Sequence, residues 1–220
     1  MPDLSYEAFH AQRLGLSPSL VCGVDEAGRG PWAGPVSVAA VILDPLRLPA
    51  GIDDSKKLTD RSRERRHNDI LECAIATSVI MIDATEIDAT NILAATHLGM
   101  IRAVEGLSIK PALALIDGNR APKLKCPCVT IVKGDTLSLS IAAASILAKV
   151  ARDRLMQQAE RDFPGYGFAQ HKGYGVPLHS QALTRLGPCA LHRMSFKPVA
   201  TAAQLFQTSH VLVNLPEQEG

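Results

Sequence analysis

Residues 20–43 read LVCGVDEAGRGPWAGPVSVAAVIL. Two apolar runs, at 20–24 and 36–43, flank a segment rich in Gly and Pro. That pattern predicts a β-hairpin. The first run ends in two adjacent carboxylates, Asp25 and Glu26, and Gly28, Arg29 and Gly30 follow at once. Carboxylates at a strand end are how proteins hold hard divalent cations. A glycine-flanked arginine lets the backbone come close to a phosphate or sugar while an anion is bound. Asp25 and Glu26 face opposite sides of an ideal strand. For both to serve one site, the strand is expected to end or bulge near Glu26, where Gly28 and Gly30 favour a break.

Outward from the hairpin, strands and helices alternate. Residues 1–18 read as a helical lead-in, with Tyr6, Phe9 and Leu14 loosely on one face. Thr59 caps a charged helix over 60–73. A strand is expected at 75–82. A helix follows over 91–104, with Ile92, Ala95, Leu98, Met100 and Ile101 as its apolar stripe. Strands are expected at 112–116 and 129–132. The clearest helix carries Leu137, Ile141, Ala144, Ala148, Ala151 and Leu155 at spacings of four and three. Residues 163–175 read as loop, and 178–186 as a helical patch ending at Gly187 and Pro188. Beyond Val199 no pattern places the tail. A hairpin followed by alternating elements suggests an α/β fold on a mixed sheet.

The chain has 220 residues, 46% of them hydrophobic and 20% charged, with a formal net charge of +1. Whole-chain charge therefore says nothing about partners. Its distribution says more, because no Asp or Glu occurs between Asp162 and Glu217. Lys172, Arg185, Arg193 and Lys197 stand there with His171, His179 and His192, which suits a polyanion or a solvated face. Five irregularly spaced cysteines argue against a disulfide framework and for a reducing compartment. No signal peptide or membrane span is expected, and the reading is a cytoplasmic protein without membrane contact.

Two further acids matter. Asp117 ends the apolar run at 112–116, at a strand end where α/β proteins place ligands, although Asp117 with Gly118 is also an ordinary turn pair. Asp135 precedes the alanine-rich helix and on its own reads as an N-cap. Singly, each acid has a bland explanation. Jointly, all four sit at the edges of apolar elements where a fold can gather them. Four close carboxylates repel one another unless a cation relieves them. One or two Mg²⁺ or Mn²⁺ ions would do so and would equip the site for in-line phosphodiester displacement.

These residues resemble type 2 ribonuclease H, the bacterial ribonuclease HII family. The likeness is carried by GVDEAGRGPWAGPV at 23–36, DSKKLT at 54–59, NIL at 91–93 and IDGNRAP at 116–122. It continues through KGD at 133–135, IAAASILAKVARD at 141–153, FPGYGFAQHKGYG at 163–175 and HRMSFKPV at 192–199. It covers roughly residues 20–199. It implies a ribonuclease H-like mixed sheet flanked by helices, with a C-terminal helical segment. It also implies a catalytic core at 19–162, a substrate-binding segment at 163–220, and a whole domain at 19–199.

The resemblance further implies a metal-dependent endonuclease, taking Mn²⁺ or Mg²⁺. It would cut the RNA strand of RNA–DNA hybrids and incise 5′ of ribonucleotides embedded in duplex DNA. Asp25, Glu26, Asp117 and Asp135 match the metal-binding catalytic carboxylates. Gly28, Arg29 and Gly30 match the motif that reads the ribonucleotide 2′-hydroxyl, and Tyr174 matches the tyrosine that contacts that ribose. Lys172, Arg185 and Arg193 are expected to hold flanking phosphates, with Lys56 and Lys57 as further candidates. The expected mechanism is two-metal hydrolysis leaving 3′-hydroxyl and 5′-phosphate ends, and the expected state is a monomer. Trp32 and Met194 depart from the pattern, replacing an aliphatic and a basic residue.

Rival readings are another metal-dependent nuclease of the same fold, a non-catalytic nucleic-acid module, and a zinc site from Cys126, Cys128, Cys189 and His192. The cysteine spacing disfavours the last. A dinucleotide fold lacks its third glycine.

Overall fold

A computed structural model describes residues 2–52 and 59–213. Lys56, Lys57 and most of the DSKKLT motif lie outside the described residues. The chain divides into two compact units. The first comprises Met1–Arg29, Val36–Ile82 and Leu93–Arg152; the second comprises Gly30–Pro35, Asp83–Ile92 and Asp153–Gly220.

The first unit is built on a five-stranded sheet in the order β3-β2-β1-β4-β5. Its strands are β1 (Val21–Ala27), β2 (Val36–Leu43), β3 (Ala74–Ile82), β4 (Leu113–Asp117) and β5 (Cys128–Ile131). The hairpin is present: β1 and β2 pair antiparallel from Cys22↔Ile42 to Ala27↔Ser37. β3 joins β2 antiparallel, whereas β4 joins β1 parallel and β5 joins β4 parallel. β2 is buried along its whole length, as expected of a central, uniformly apolar strand.

Helices α1 (Ser5–Arg13), α2 (Asp60–Cys73), α4 (Ile92–Glu105) and most of α5 (Leu139–Asp162) also belong to this unit. Thr59 caps α2, accepting from the Ser62 amide at 3.2 Å. One core joins Ala39, Val41 and Leu43 of the sheet to Ile70 of α2 and Ala143, Ile146 and Val150 of α5. α5 rests so closely on β1 that a Cβ at Gly23 would stand 2.1 Å from the Ser140 backbone. The apolar face of α4 is rotated from the expected stripe. Ala95, Thr96, Gly99, Met100, Ala103 and Val104 are buried, while Ile92, Leu98 and Ile101 are only half-buried.

In α1 the expected face is also displaced: Phe9 and Leu14 are exposed, while Glu7 and Ala11 are buried. The reason is electrostatic. Glu7 Oε1 accepts from Ser138 Oγ at 2.7 Å, the Ser140 amide at 2.9 Å and Ser140 Oγ at 2.5 Å. A carboxylate thus sits at the start of α5, where unpaired amides and the helix dipole favour negative charge.

The second unit holds α3 (Ala84–Ala89), α6 (Phe168–His171), α7 (Pro177–Leu186) and α8 (Lys197–Val213), the last accounting for residues 200–213, which the sequence pattern does not place. Its core gathers Ala33, Met156, Ala159, Tyr166, Phe168 and Ala182.

Gly23→Ala is expected to lower stability by about 1–3 kcal/mol, because the helix must move off the strand. Chemical denaturation measures it; an unchanged midpoint would contradict the contact.

Candidate metal and substrate site

β1 ends at Ala27, one residue past Glu26, and Gly28 at φ +95° marks the break, as the sequence suggests; no bulge interrupts its register with β2. The neighbour on the other side stops earlier still. Parallel pairing with β4 ends at Val24↔Ile116, so Asp25, Glu26 and Asp117 all lie at the sheet's end. No bulge is needed, because adjacent residues of one strand flank the last residue of the next.

Asp25 is buried, and its carboxyl is pushed well above the usual range. Loss of solvent is the main cause, with repulsion from Glu26 and Asp117 adding to it. Asp25 Oδ1 accepts from the Glu26 amide at 2.7 Å, and Ser145 of α5 hydrogen-bonds the same carboxylate. The Glu26 carboxyl is also raised, chiefly by burial; Arg29 opposes the rise and Asp117 adds to it. Arg29 Nη1 lies 3.3 Å from Glu26 Oε1, while Glu26 Oε2 is buried with no hydrogen-bond partner. Asp117 Oδ1 accepts from the Gly134 amide at 2.6 Å.

Asp135 is not the cap of α5. It lies buried in a 3₁₀ turn, Gly134–Thr136, and α5 begins only at Leu139. Ser138 takes the capping role, its Oγ accepting from the Ile141 amide at 3.2 Å. Asp135 follows Gly134, whose amide binds Asp117.

Among the described residues, no group of three or more His, Cys, Asp or Glu side chains is gathered tightly enough to hold a metal ion. Asp25, Glu26 and Asp117 each hold an N–H donor of the protein. The donor set nevertheless fits a hard divalent cation. It is all oxygen, it is mutually repulsive, and it includes one buried oxygen without a partner.

Gly28 adopts φ +95°, and a Cβ there would fall 2.0 Å from Arg152 Nε. Both conditions demand glycine. The buried Arg152 and the Asp25 partner Ser145 were not singled out from the sequence. Both lie in the IAAASILAKVARD run, where helical periodicity drew attention to the alanines instead. Arg29 is half-exposed.

In the second unit, residues 30–35 are stitched to two later segments. The amides of Trp32 and Ala33 donate to the Gly173 carbonyl at 2.8 and 3.3 Å, and the Gly34 amide donates to the Leu191 carbonyl at 2.8 Å. Arg193 corrects an expectation. It is fully buried, and its Nε and Nη2 donate to the Gly34 carbonyl at 2.9 and 2.7 Å. It braces this loop and is not exposed to solvent phosphate. Lys172 donates its ammonium to the Ala169 carbonyl, and the exposed Arg185 donates to the Gly165 carbonyl at 3.0 Å. Tyr174 is nearly half-exposed, and a Cβ at Gly30 would lie 3.9 Å from its ring. Trp32 packs its indole against Gly175 and lies tilted by 37° over His179, ring centroids 5.4 Å apart.

The basic C-terminal quarter is thus less basic at its surface than its composition suggests, because His179, His192 and Arg193 are buried. His179 and His192 share an Nε2–Nε2 contact of 3.0 Å, so one donates and the other accepts. Burial pulls both imidazoles down to about 4.

Residues 22–199 match the family model for ribonuclease HII. A ribonuclease HII of Caulobacter vibrioides is 54% identical over 91% of this chain and 92% of its own. One from Burkholderia mallei is 56% identical over 86% and 88%. The crystal structure of ribonuclease H2 from Pyrococcus horikoshii superposes with a TM-score of 0.74 at 26% identity, covering 85% of this chain and 98% of that one.

Two outcomes are expected. The unfolded chain takes up protons on His179 and His192 below about 6.5, whereas the folded pair stays neutral until about 4. Stability is therefore intact above about 6.5 and falls as pH drops toward 4. Melting curves across that range measure it, and His179→Phe should flatten the slope. Separately, Mn²⁺ or Mg²⁺ at a hundredfold excess over Kd should stabilise the fold by about 2.7 kcal/mol. That corresponds to a melting shift of roughly 5–10 °C. Asp117→Asn should abolish the shift, and an undiminished shift would place the cation elsewhere.

Proposed function

The chain belongs to the ribonuclease HII family of metal-dependent endoribonucleases acting on RNA–DNA hybrids, and from that premise we propose that it also incises duplex DNA 5′ of an embedded ribonucleotide by two-metal hydrolysis. The observation that carries this reading is the shared, poorly solvated position of Asp25, Glu26 and Asp117 at the ends of β1 and β4. Asp25, Glu26, Asp117 and Asp135 are the residues that hold the cations. Bound Mn²⁺ or Mg²⁺ supplies Lewis-acid activation of the attacking water and neutralises charge on the leaving 3′-oxygen.

The protein's own groups do the rest. Ser145 and the Glu26 amide orient Asp25, and the Gly134 amide orients Asp117. Backbone groups at Gly28, Arg29 and Gly30 read the 2′-hydroxyl, the group that separates RNA from DNA. Tyr174 contacts the ribose, and Lys172 supplies charge to a flanking phosphate. Arg193 acts as a positioning residue through Gly34. Catalysis resides in residues 19–162, and residues 163–220 grip substrate. No described helix is long and apolar enough to cross a membrane, and we read the protein as a cytoplasmic monomer.

A duplex carrying one ribonucleotide tests this. With Mg²⁺ or Mn²⁺ the protein should nick on the 5′ side of the ribonucleotide and leave an all-DNA duplex intact. Asp25→Asn should slow cutting by roughly a hundredfold or more, while raising the melting temperature of the metal-free protein by removing a repelled buried charge. Undiminished cutting by the variant would refute the metal assignment, and equal cutting of all-DNA duplex would refute the 2′-hydroxyl reading.

A further inference from the structure

Beside the carboxylates lies a cleft of about 360 Å³ between α4 and the turn that follows β4. Glu26 and Asp117 line it together with Arg29, His97, Asn119 and Arg120. The helix contributes Leu93, Thr96, His97 and Met100, at spacings that place all four on one face. Gly118, at φ +101°, turns the chain so that Asn119 and Arg120 come round to meet that face.

Two of these donors are unspent. Among the described residues, neither the His97 ring nor the Arg120 guanidinium has a hydrogen-bond or ion-pair partner. Arg29 contacts Glu26, but at 3.3 Å and with half its side chain exposed. A lone anion against Glu26 and Asp117 would be repelled; an anion held by Arg120 and His97, with cations at the carboxylates, would not. The volume equals about twelve water molecules at ~30 Å³ each, which is room for a phosphate and its sugar edge.

We propose that this cleft seats a second, non-scissile phosphate of the substrate strand, held by Arg120 and His97 with Asn119 beside them. The proposal rests on the nuclease reading above and deepens it. Arg120 supplies charge and paired N–H donors suited to phosphate oxygens. His97 supplies one ring N–H, and Asn119 an amide. A phosphate fixed here sets the register of the strand over the carboxylates, so position along the strand is chosen before chemistry.

The test is a cycle between protein and substrate. Binding of an RNA–DNA hybrid is measured in Ca²⁺, with single linkages replaced in turn by neutral methylphosphonates. Wild type should lose roughly tenfold in affinity at one non-scissile linkage. Arg120→Ala should lose roughly tenfold on the native duplex and nothing further at that linkage. Its salt dependence should fall by about one phosphate contact. Arg120→Lys should keep the salt slope, and His97→Gln, retaining a donor, should lose less than His97→Ala. Additive losses at every linkage would overturn the proposal. So would a variant whose duplex affinity is unchanged while only inhibition by inorganic phosphate or by a 5′-phosphorylated product weakens. If wild type binds the hybrid but cuts nothing, the nuclease reading fails while the binding cycle still decides the phosphate seat.

Discussion

Repulsion among carboxylates at the end of β1 and β4 is the constraint around which the first unit is arranged. Burial raises the proton affinity of Asp25 and Glu26; repulsion from Glu26 and Asp117 adds to it in Asp25, and repulsion from Asp117 adds to it in Glu26. Folding alone does not favour such a cluster; it persists because the surroundings hold it in place. Its supports are a sheet whose strand β2 is fully buried, a helix pressed on Gly23, and amides that occupy carboxylate oxygens. Glu7, from the lead-in helix, fixes the start of α5 and hence the helix that carries Ser145. The segment before residue 20, outside the family likeness, thus contributes to the placement of Asp25.

The second unit solves a different problem. Residues 30–35 contain two glycines and two prolines and form no regular element of their own. Their shape is imposed by backbone hydrogen bonds to Gly173 and Leu191 and by the buried Arg193. Asp88 secures the same neighbourhood, accepting from the amides of Met194 and Ser195 at 2.7 and 2.9 Å. The neutral His179–His192 pair fills the space beneath, between Trp32, Tyr166 and Phe168. Gly30 and Tyr174 are therefore placed by a rigid, pH-sensitive scaffold.

Much of the fold was legible because its signals are local. The β2 run, the Thr59 cap and the apolar run ending at Asp117 each announce themselves within a few residues. What was illegible depended on partners far away in sequence. Arg193 reads as a surface cation until Gly34, 159 residues earlier, is seen to accept its guanidinium. The end of β1 just past Glu26 is readable from the glycines that follow, but the earlier stop of β4, which brings Asp117 to the same edge, is invisible in β1 itself. Asp135 reads as a cap from its place before the helix, but the helix starts later and Ser138, three residues on, caps it. His97 hid inside a helix whose apolar face was assigned one notch off. By contrast, α3 carried a readable signal: Asp83 accepts from the Glu86 amide at 2.8 Å, an ordinary N-cap.

The central claim is that Asp25, Glu26 and Asp117 are a cation site held apart by protein donors until the cation arrives. Anomalous diffraction at the manganese edge, from crystals soaked in Mn²⁺, tests it most directly. The account predicts a peak within coordinating distance, about 2.0–2.6 Å, of Glu26 and Asp117, with the Arg29 contact to Glu26 released. A peak elsewhere, or none at a Mn²⁺ concentration that supports cleavage, would contradict it.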